Sequence, residues 1–511
     1  MKKILSLISS VLMIFSCVGV ATASAYSDDH LPQVYVEGLE SKGVYYKDDV
    51  NMENPLFFPI QADKLIGSLV KYEDRIKKAI AANNPNLLTE YVTLWMNDCF
   101  GDVALGKDGF TMSDKVMVPK TELDPYGDAK EGKYVFKYDC RLGGVDIAAE
   151  LVDYIEWVKS VTGSAKVELV ASSYGSAVVL SLLNEYPGMK ASIDSVLLCV
   201  PSANGVSFAG ELFSGHISSD PKALKAFLDN SLNDDAIAML LSTLIKTGTL
   251  DFLVDDVLEP ALEAALMDAL RNVIRNIFGT MPSMWSFVED KYFYDALVNI
   301  YGESYADEDH EYAGLINRIT YYHENIQNRA DEILLQAQAE GIHTNIICKY
   351  GDPSIPLSSE GDVLGDGFVT VKNASFGATA AMNNEKLPAD YKQAKFADTK
   401  NYMSPDWCID ASTCLLPDNT WFIKNLWHGT KSKGYYEMIN TIVYENLTID
   451  SGKYDQFLVL AEDGSSIVPL VVDEQANAGE EKETTWLEDF FSFIKNFFPR
   501  LIEMIKGLFS K

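Results

Sequence analysis

The chain has 511 residues and a 47% hydrophobic share, enough for a large core plus an inserted or appended domain. Its formal net charge of −32 repels phosphate backbones and anionic surfaces at long range, which argues against nucleic acid as a partner.

Lys2-Lys3 precede an apolar run from Ile4 to about Val20, and Ala23-Ser24-Ala25 follows as an A-x-A cleavage site. Residues 1–25 therefore read as a signal peptide, with the mature chain starting near Tyr26. Ile14-Phe15-Ser16-Cys17 loosely matches a lipoprotein cleavage box, but Phe15 fits it poorly. No other stretch is apolar and charge-free for long enough to span a bilayer. The expectation is a secreted or cell-envelope-associated protein. Cys140, Cys199 and Cys348 lie in or beside apolar runs, where buried free thiols are the default. Cys408 and Cys414 flank a short loop and can pair, given export. Neither CxxC nor His-x-x-x-His spacing is present to suggest zinc, and no metal or cofactor is expected.

Val34 to Leu39 reads as a short strand ending in a glycine turn, and a helical stretch follows over roughly Ala62 to Trp95. Lys133 to Asp139 alternates as a second strand. Val145 to Val161 is helical, with Ala148, Leu151, Val152, Ile155 and Val158 at helical spacing. Val167 to Ser172 is an apolar strand that runs through a serine-centred turn into the helix beginning Ala177-Val178-Val179. Ile193 to Val200 is a further apolar strand. Strands that are apolar on both faces and alternate with helices predict a parallel sheet covered on both sides.

After Val206 the rhythm breaks, and residues 206–342 read as a helical insertion, a cap or lid between two strands of one sheet. Within it, Met281-Pro282-Ser283-Met284-Trp285-Ser286-Phe287 suits either the roof of an apolar site or the insertion's own core. The α/β rhythm resumes at Thr344–Tyr350 and at Thr420–Ile423, and a helix near Tyr435–Tyr444 closes the unit. The core is thus 26–205 with 343–450. Phe457–Leu460 and Ile467–Val472 flank Asp463-Gly464 as a hairpin extension over 451–473. Residues 474–485 are an acidic linker, and 486–511 an amphipathic helix. Trp486 to Phe509 presents a broad apolar face with a narrow polar stripe, suited to a membrane surface or to docking on protein.

The turn at Ser173 carries the chemical signal. A serine at a strained backbone angle between strand and helix exposes its hydroxyl, and the close approach of the two elements demands small residues two before and two after it. Ala171 and Gly175 meet that demand. In such an architecture an acid and then a histidine follow the nucleophile in sequence. Of the six histidines, only His428 lies beyond every acid candidate once the sheet resumes, in a loop after an apolar strand. Asp352, in Tyr350-Gly351-Asp352-Pro353, and Asp366, in Gly365-Asp366-Gly367, compete to orient it. Two backbone N–H groups are needed for the developing oxyanion. Tyr174, after the nucleophile, and Leu39, after Gly38, are the candidates.

Tyr138-Asp139-Cys140-Arg141-Leu142 resembles the Tyr-Asp-Trp-Arg motif of lecithin–cholesterol acyltransferase-like α/β-hydrolases. Gly365-Asp366-Gly367-Phe368-Val369 is similar to their Gly-Asp-Gly-Thr-Val segment, and to the Asp-Gly-Leu-Val segment of bacterial triacylglycerol lipases. Ala171-Ser172-Ser173-Tyr174-Gly175 matches the elbow. The resemblance covers 31–205 and 343–450, and it departs where Cys140 replaces a tryptophan and Glu37 a small residue or proline. It implies an α/β-hydrolase fold, Asp366 rather than Asp352 as the acid, and acyl-ester chemistry on lipids. Hydrolysis through an acyl-enzyme is the leading expectation. Acyl transfer to an alcohol, or a silent hydrolase fold that binds lipid or an envelope partner, are the alternatives.

Overall fold

The computed structural model describes residues 30–57, 62–119, 133–216, 260–352, 363–383, 385–461 and 463–472. The expected signal peptide, residues 217–259 of the expected insertion, the acidic linker and the tail helix lie outside them. The chain divides into two compact units, Met1–Leu470 and Val471–Lys511, and only Val471 and Val472 of the second are among the described residues.

The eight-stranded central sheet is built from β1 (Gln33–Val36), β2 (Lys133–Phe136), β3 (Val167–Ser172), β4 (Ile193–Cys199), β5 (His343–Tyr350), β6 (Thr420–Lys424), β7 (Phe457–Leu460) and β8 (Ile467–Pro469). Their order across the sheet is β2-β1-β3-β4-β5-β6-β7-β8, and every pair is parallel except the β7–β8 hairpin. Crossovers of a parallel sheet place helices on its faces, so both faces of the central strands are covered and their sequences are continuously apolar. Leu169 and Ala171 of β3 join one core cluster with the helices α3 (Gly144–Thr162) and α4 (Gly175–Glu185). Val170, between them, joins Leu197, Ile347 and Trp421 in a second cluster under α10 (Lys433–Tyr444). This topology, with a serine turn joining β3 to α4, is the α/β-hydrolase fold.

The helical stretch expected over 62–95 is two helices, α1 (Ala62–Ala81) and α2 (Pro85–Phe100). Pro85 cannot donate to a preceding turn and so starts a helix instead of continuing one. Asn84 caps the new start by accepting from the Leu87 N–H, and Asn83 takes a φ of 45° to make the corner. All regular structure among the described residues of 206–342 is helical; the longer helices are α5 (Ser207–Ser214), α6 (Pro260–Asn276), α7 (Asp290–Tyr301), α8 (Ala313–Asn325) and α9 (Ala330–Ala339). Trp285 is buried there, against Phe213, Phe293 and Tyr301, so most of the Met281–Phe287 segment packs the helical layer itself. Cys408 and Cys414 are both free thiols. No helix among the described residues is long and apolar enough to cross a membrane.

Candidate active site

The turn between β3 and α4 is strained in the way the sequence predicts. Ser173 has a φ of 53°, a left-handed angle that a non-glycine residue adopts only where its surroundings impose it. Its N–H is anchored to the Cys199 carbonyl at 2.9 Å, at the end of the neighbouring strand. The strand β1 approaches so closely that a Cβ on Gly175 would lie 2.5 Å from the Val36 carbonyl oxygen. A Cβ on Gly38 would lie 3.1 Å from Ser173 Cβ. Position 175 therefore needs glycine, and a side chain at 38 would crowd Ser173. The same contact puts the Gly38-Leu39 turn directly beside Ser173, which Tyr174 follows at the start of α4. Ser172 ends the strand, and its hydroxyl engages Tyr35 rather than the histidine.

Three side chains distant in sequence then meet. His428 Nε2 is 2.9 Å from Ser173 Oγ, and His428 Nδ1 is 2.7 Å from Asp366 Oδ2. An ionised carboxylate only accepts, so Nδ1 carries the proton toward Asp366 and Nε2 is left to accept from the serine hydroxyl. Asp366 is wholly buried and His428 is 5% exposed. Burial of a carboxylate is tolerable here because Asp366 Oδ1 accepts from the N–H groups of Phe368 (3.0 Å) and Val369 (2.7 Å). The His428 N–H also donates to the Asp366 carbonyl at 2.9 Å, so the acid turn and the histidine loop are tied through backbone as well as side chain.

Asp352, the competing acid, is near but differently employed. Its N–H donates to the Gly365 carbonyl at 3.2 Å, which builds the platform for the Asp366 turn. Burial, with Asp366 close by, pushes the Asp352 carboxyl up to about 6.

Other residues support the site without having been read from the sequence as doing so. Tyr138, in the motif Tyr138-Asp139-Cys140-Arg141, donates its hydroxyl to the Glu37 carbonyl and lies 3.2 Å from the Gly38 carbonyl, clamping the turn that bears Leu39. Arg141 is fully buried in a fork on Asp139, at 2.9 and 2.7 Å, and its third arm donates to the Val103 carbonyl. The motif thus fixes the turn by side-chain-to-backbone bonds. Glu37 is mostly buried, and burial pushes its carboxyl up to about 7 despite Lys137 and Lys431 nearby. Lys431, three residues after His428, reaches Glu40 at 3.8 Å and links the histidine loop to the same turn. Aromatic rings adjoin the histidine: Phe368 lies 4.9 Å from the His428 ring, with Phe208 and Phe287 of the helical layer against Phe368 at 5.2 and 5.8 Å. Phe287 also meets Tyr174 at 5.7 Å, so this end of the Met281–Phe287 segment does face the site. Among the described residues, no group of three or more His, Cys, Asp or Glu side chains is placed to hold a metal ion.

No protein-family model matches the chain, and no curated protein matches it. Solved structures that resemble the chain include two distantly similar ones. One is the Tle4–Tli4 complex, at 12% identity over 63% of this chain and 75% of that chain, with a TM-score of 0.24. The other is Kex1(Δ)p, a prohormone-processing carboxypeptidase from Saccharomyces cerevisiae, at 11% identity over 85% of each chain, with a TM-score of 0.25. Scores this low add nothing to what the sheet topology shows.

Proposed function

We propose that the chain is an exported serine hydrolase that cleaves acyl esters, with lipids as the substrate class, through an acyl-enzyme on Ser173. The observation that carries this reading is the continuous hydrogen-bonded relay from Ser173 Oγ through His428 to Asp366, set on a strained turn. In the proposed reaction, Oγ attacks the ester carbonyl while Nε2 takes its proton. Asp366 holds the ring in the tautomer that can accept and stabilises the imidazolium that forms. The N–H groups of Leu39 and Tyr174 receive the oxyanion. The imidazolium then protonates the departing alkoxide, and water, deprotonated by His428, releases the acid. An alcohol in place of water would make the same site an acyltransferase. Support for an acyl-ester substrate comes from the resemblance of Tyr138–Leu142 and Gly365–Val369 to the motifs of lipid-ester hydrolases. Export rests on the composition of residues 1–25 alone.

The test is labelling with a fluorophosphonate probe, followed by mapping of the modified residue. Wild type and Ser172→Ala should be labelled and Ser173→Ala should not, with all three equally folded by circular dichroism. Label on Ser172, or none on the wild type, would sink the proposal. Product analysis with and without an acceptor alcohol separates hydrolysis from transfer.

A further inference from the structure

Lys349 occupies β5, a strand whose neighbours Ile346, Ile347, Cys348 and Tyr350 are all buried. It is itself only 1% exposed. An ammonium in such a place is costly unless its protons are accepted. They are accepted by one loop: Lys349 Nζ lies 2.7 Å from the Thr430 carbonyl oxygen, 3.0 Å from that of His428 and 3.4 Å from that of Trp427. The Tyr435 ring, at the start of α10, covers the ammonium with its centroid 4.2 Å away. The Thr430 N–H closes the turn onto the Trp427 carbonyl at 2.9 Å, so 427–430 is a tight turn wrapped over a cation. Turning three carbonyls inward fixes the direction in which the His428 side chain leaves the turn, toward Ser173 on one side and Asp366 on the other. An apolar residue at 349 would leave these carbonyls without that donor, and the turn would rotate to find others.

We propose that Lys349 is a positioning residue for His428, holding its turn so that Nε2 meets Ser173 Oγ, an inference that rests on the serine-hydrolase reading above. It touches neither substrate nor reacting atoms and acts through the loop backbone. Its loss therefore lowers turnover rather than substrate affinity.

The test compares full-length wild type with Lys349→Met, Lys349→Gln and Lys349→Arg. On a soluble short-chain ester, Lys349→Met should lower kcat about a hundredfold, the scale of a misplacement near 1 Å, with KM within about twofold. The hydrogen-bonded Nδ1 proton of His428 gives a far-downfield proton NMR resonance, expected in the wild type and lost or broadened in a folded Lys349→Met. Gln and Arg still donate to the carbonyls and should both exceed Met in kcat. A folded Lys349→Met with wild-type kcat and an intact resonance overturns the proposal. So does a change confined to KM, or a Met variant that equals the other two. Failure of all three variants to fold overturns it as well, by making the lysine a requirement of the fold rather than of the site. If the wild type neither labels nor turns over, the hydrolase reading fails, while the resonance comparison still decides the role of Lys349.

Discussion

Asp366→Asn is the sharpest perturbation of the proposed relay, because the surroundings dictate how an amide would sit. Oδ1 of Asp366 accepts from two backbone N–H groups, at 3.0 and 2.7 Å, so the amide oxygen of an asparagine must take that side. Its NH2 then faces His428 Nδ1, where Oδ2 stands 2.7 Å away in the native chain. A donor at that point selects the tautomer with the proton on Nε2, the atom that must accept from Ser173 at 2.9 Å. The base is thereby disabled without loss of shape. Turnover should fall by about 10⁴, equivalent to roughly 5.4 kcal/mol of transition-state stabilisation. The assay is kcat/KM on a soluble ester together with the rate of fluorophosphonate labelling, on protein whose melting is unchanged. Asp352→Asn is the matched control. Asp352 supports the turn through its backbone N–H, which asparagine keeps, so the cost should stay under about tenfold. A loss of less than tenfold in Asp366→Asn, or a larger loss in Asp352→Asn, would refute the assignment of the acid.

Tyr138→Phe removes the hydroxyl that clamps the Glu37 and Gly38 carbonyls, and kcat should fall about tenfold while melting changes by an amount equivalent to about 1 kcal/mol; unchanged kcat would show that the turn holds without it. Glu168 is 4% exposed, in register with Gln33 and Ser195 on the flanking strands, and burial, with Asp194 near, pushes its carboxyl from an ordinary 4.5 up to about 8. The unfolded chain therefore releases this proton first, and the stability linked to it falls as pH rises from about 4.5 to about 8, by up to about 1.4 kcal/mol per unit. Glu168→Gln should flatten that slope in denaturant melts at pH 5 and pH 8, whereas parallel profiles would show that the carboxyl ionises freely. Deleting 486–511, whose sequence suits a membrane surface or docking on protein, should leave hydrolysis of a soluble ester unchanged and, on the membrane reading, abolish co-sedimentation with neutral vesicles; equal sedimentation of both forms would assign that segment to protein contacts.

What the sequence displays depends on whether an interaction leaves a mark on residue type. The parallel strands were legible because burial on both faces makes them continuously apolar, as in Val167–Ala171. The elbow was legible because close approach of backbone excludes side chains, and so writes itself as Ala171 and Gly175. His428 followed from order along the chain. The break at Asn83-Asn84-Pro85 was also written in plain residues, and a single helix was expected because apolar spacing runs across it while the proline forbids continuity. Asp352 and Asp366 were harder to separate, since both follow β5 in glycine-bearing turns. Only the fold shows that the first supports the turn of the second through its backbone. Lys349 and Tyr138 mark the limit. Their partners are main-chain carbonyls, which every residue possesses, so only one half of each interaction has a letter in the sequence. A lysine inside an apolar strand still signals that something must accept its protons, because burial of an unpartnered ammonium is prohibitive. What the letter cannot say is which loop supplies the oxygens. In this chain it is the loop that carries the histidine, and that is why the residue bears on the chemistry and not only on the core.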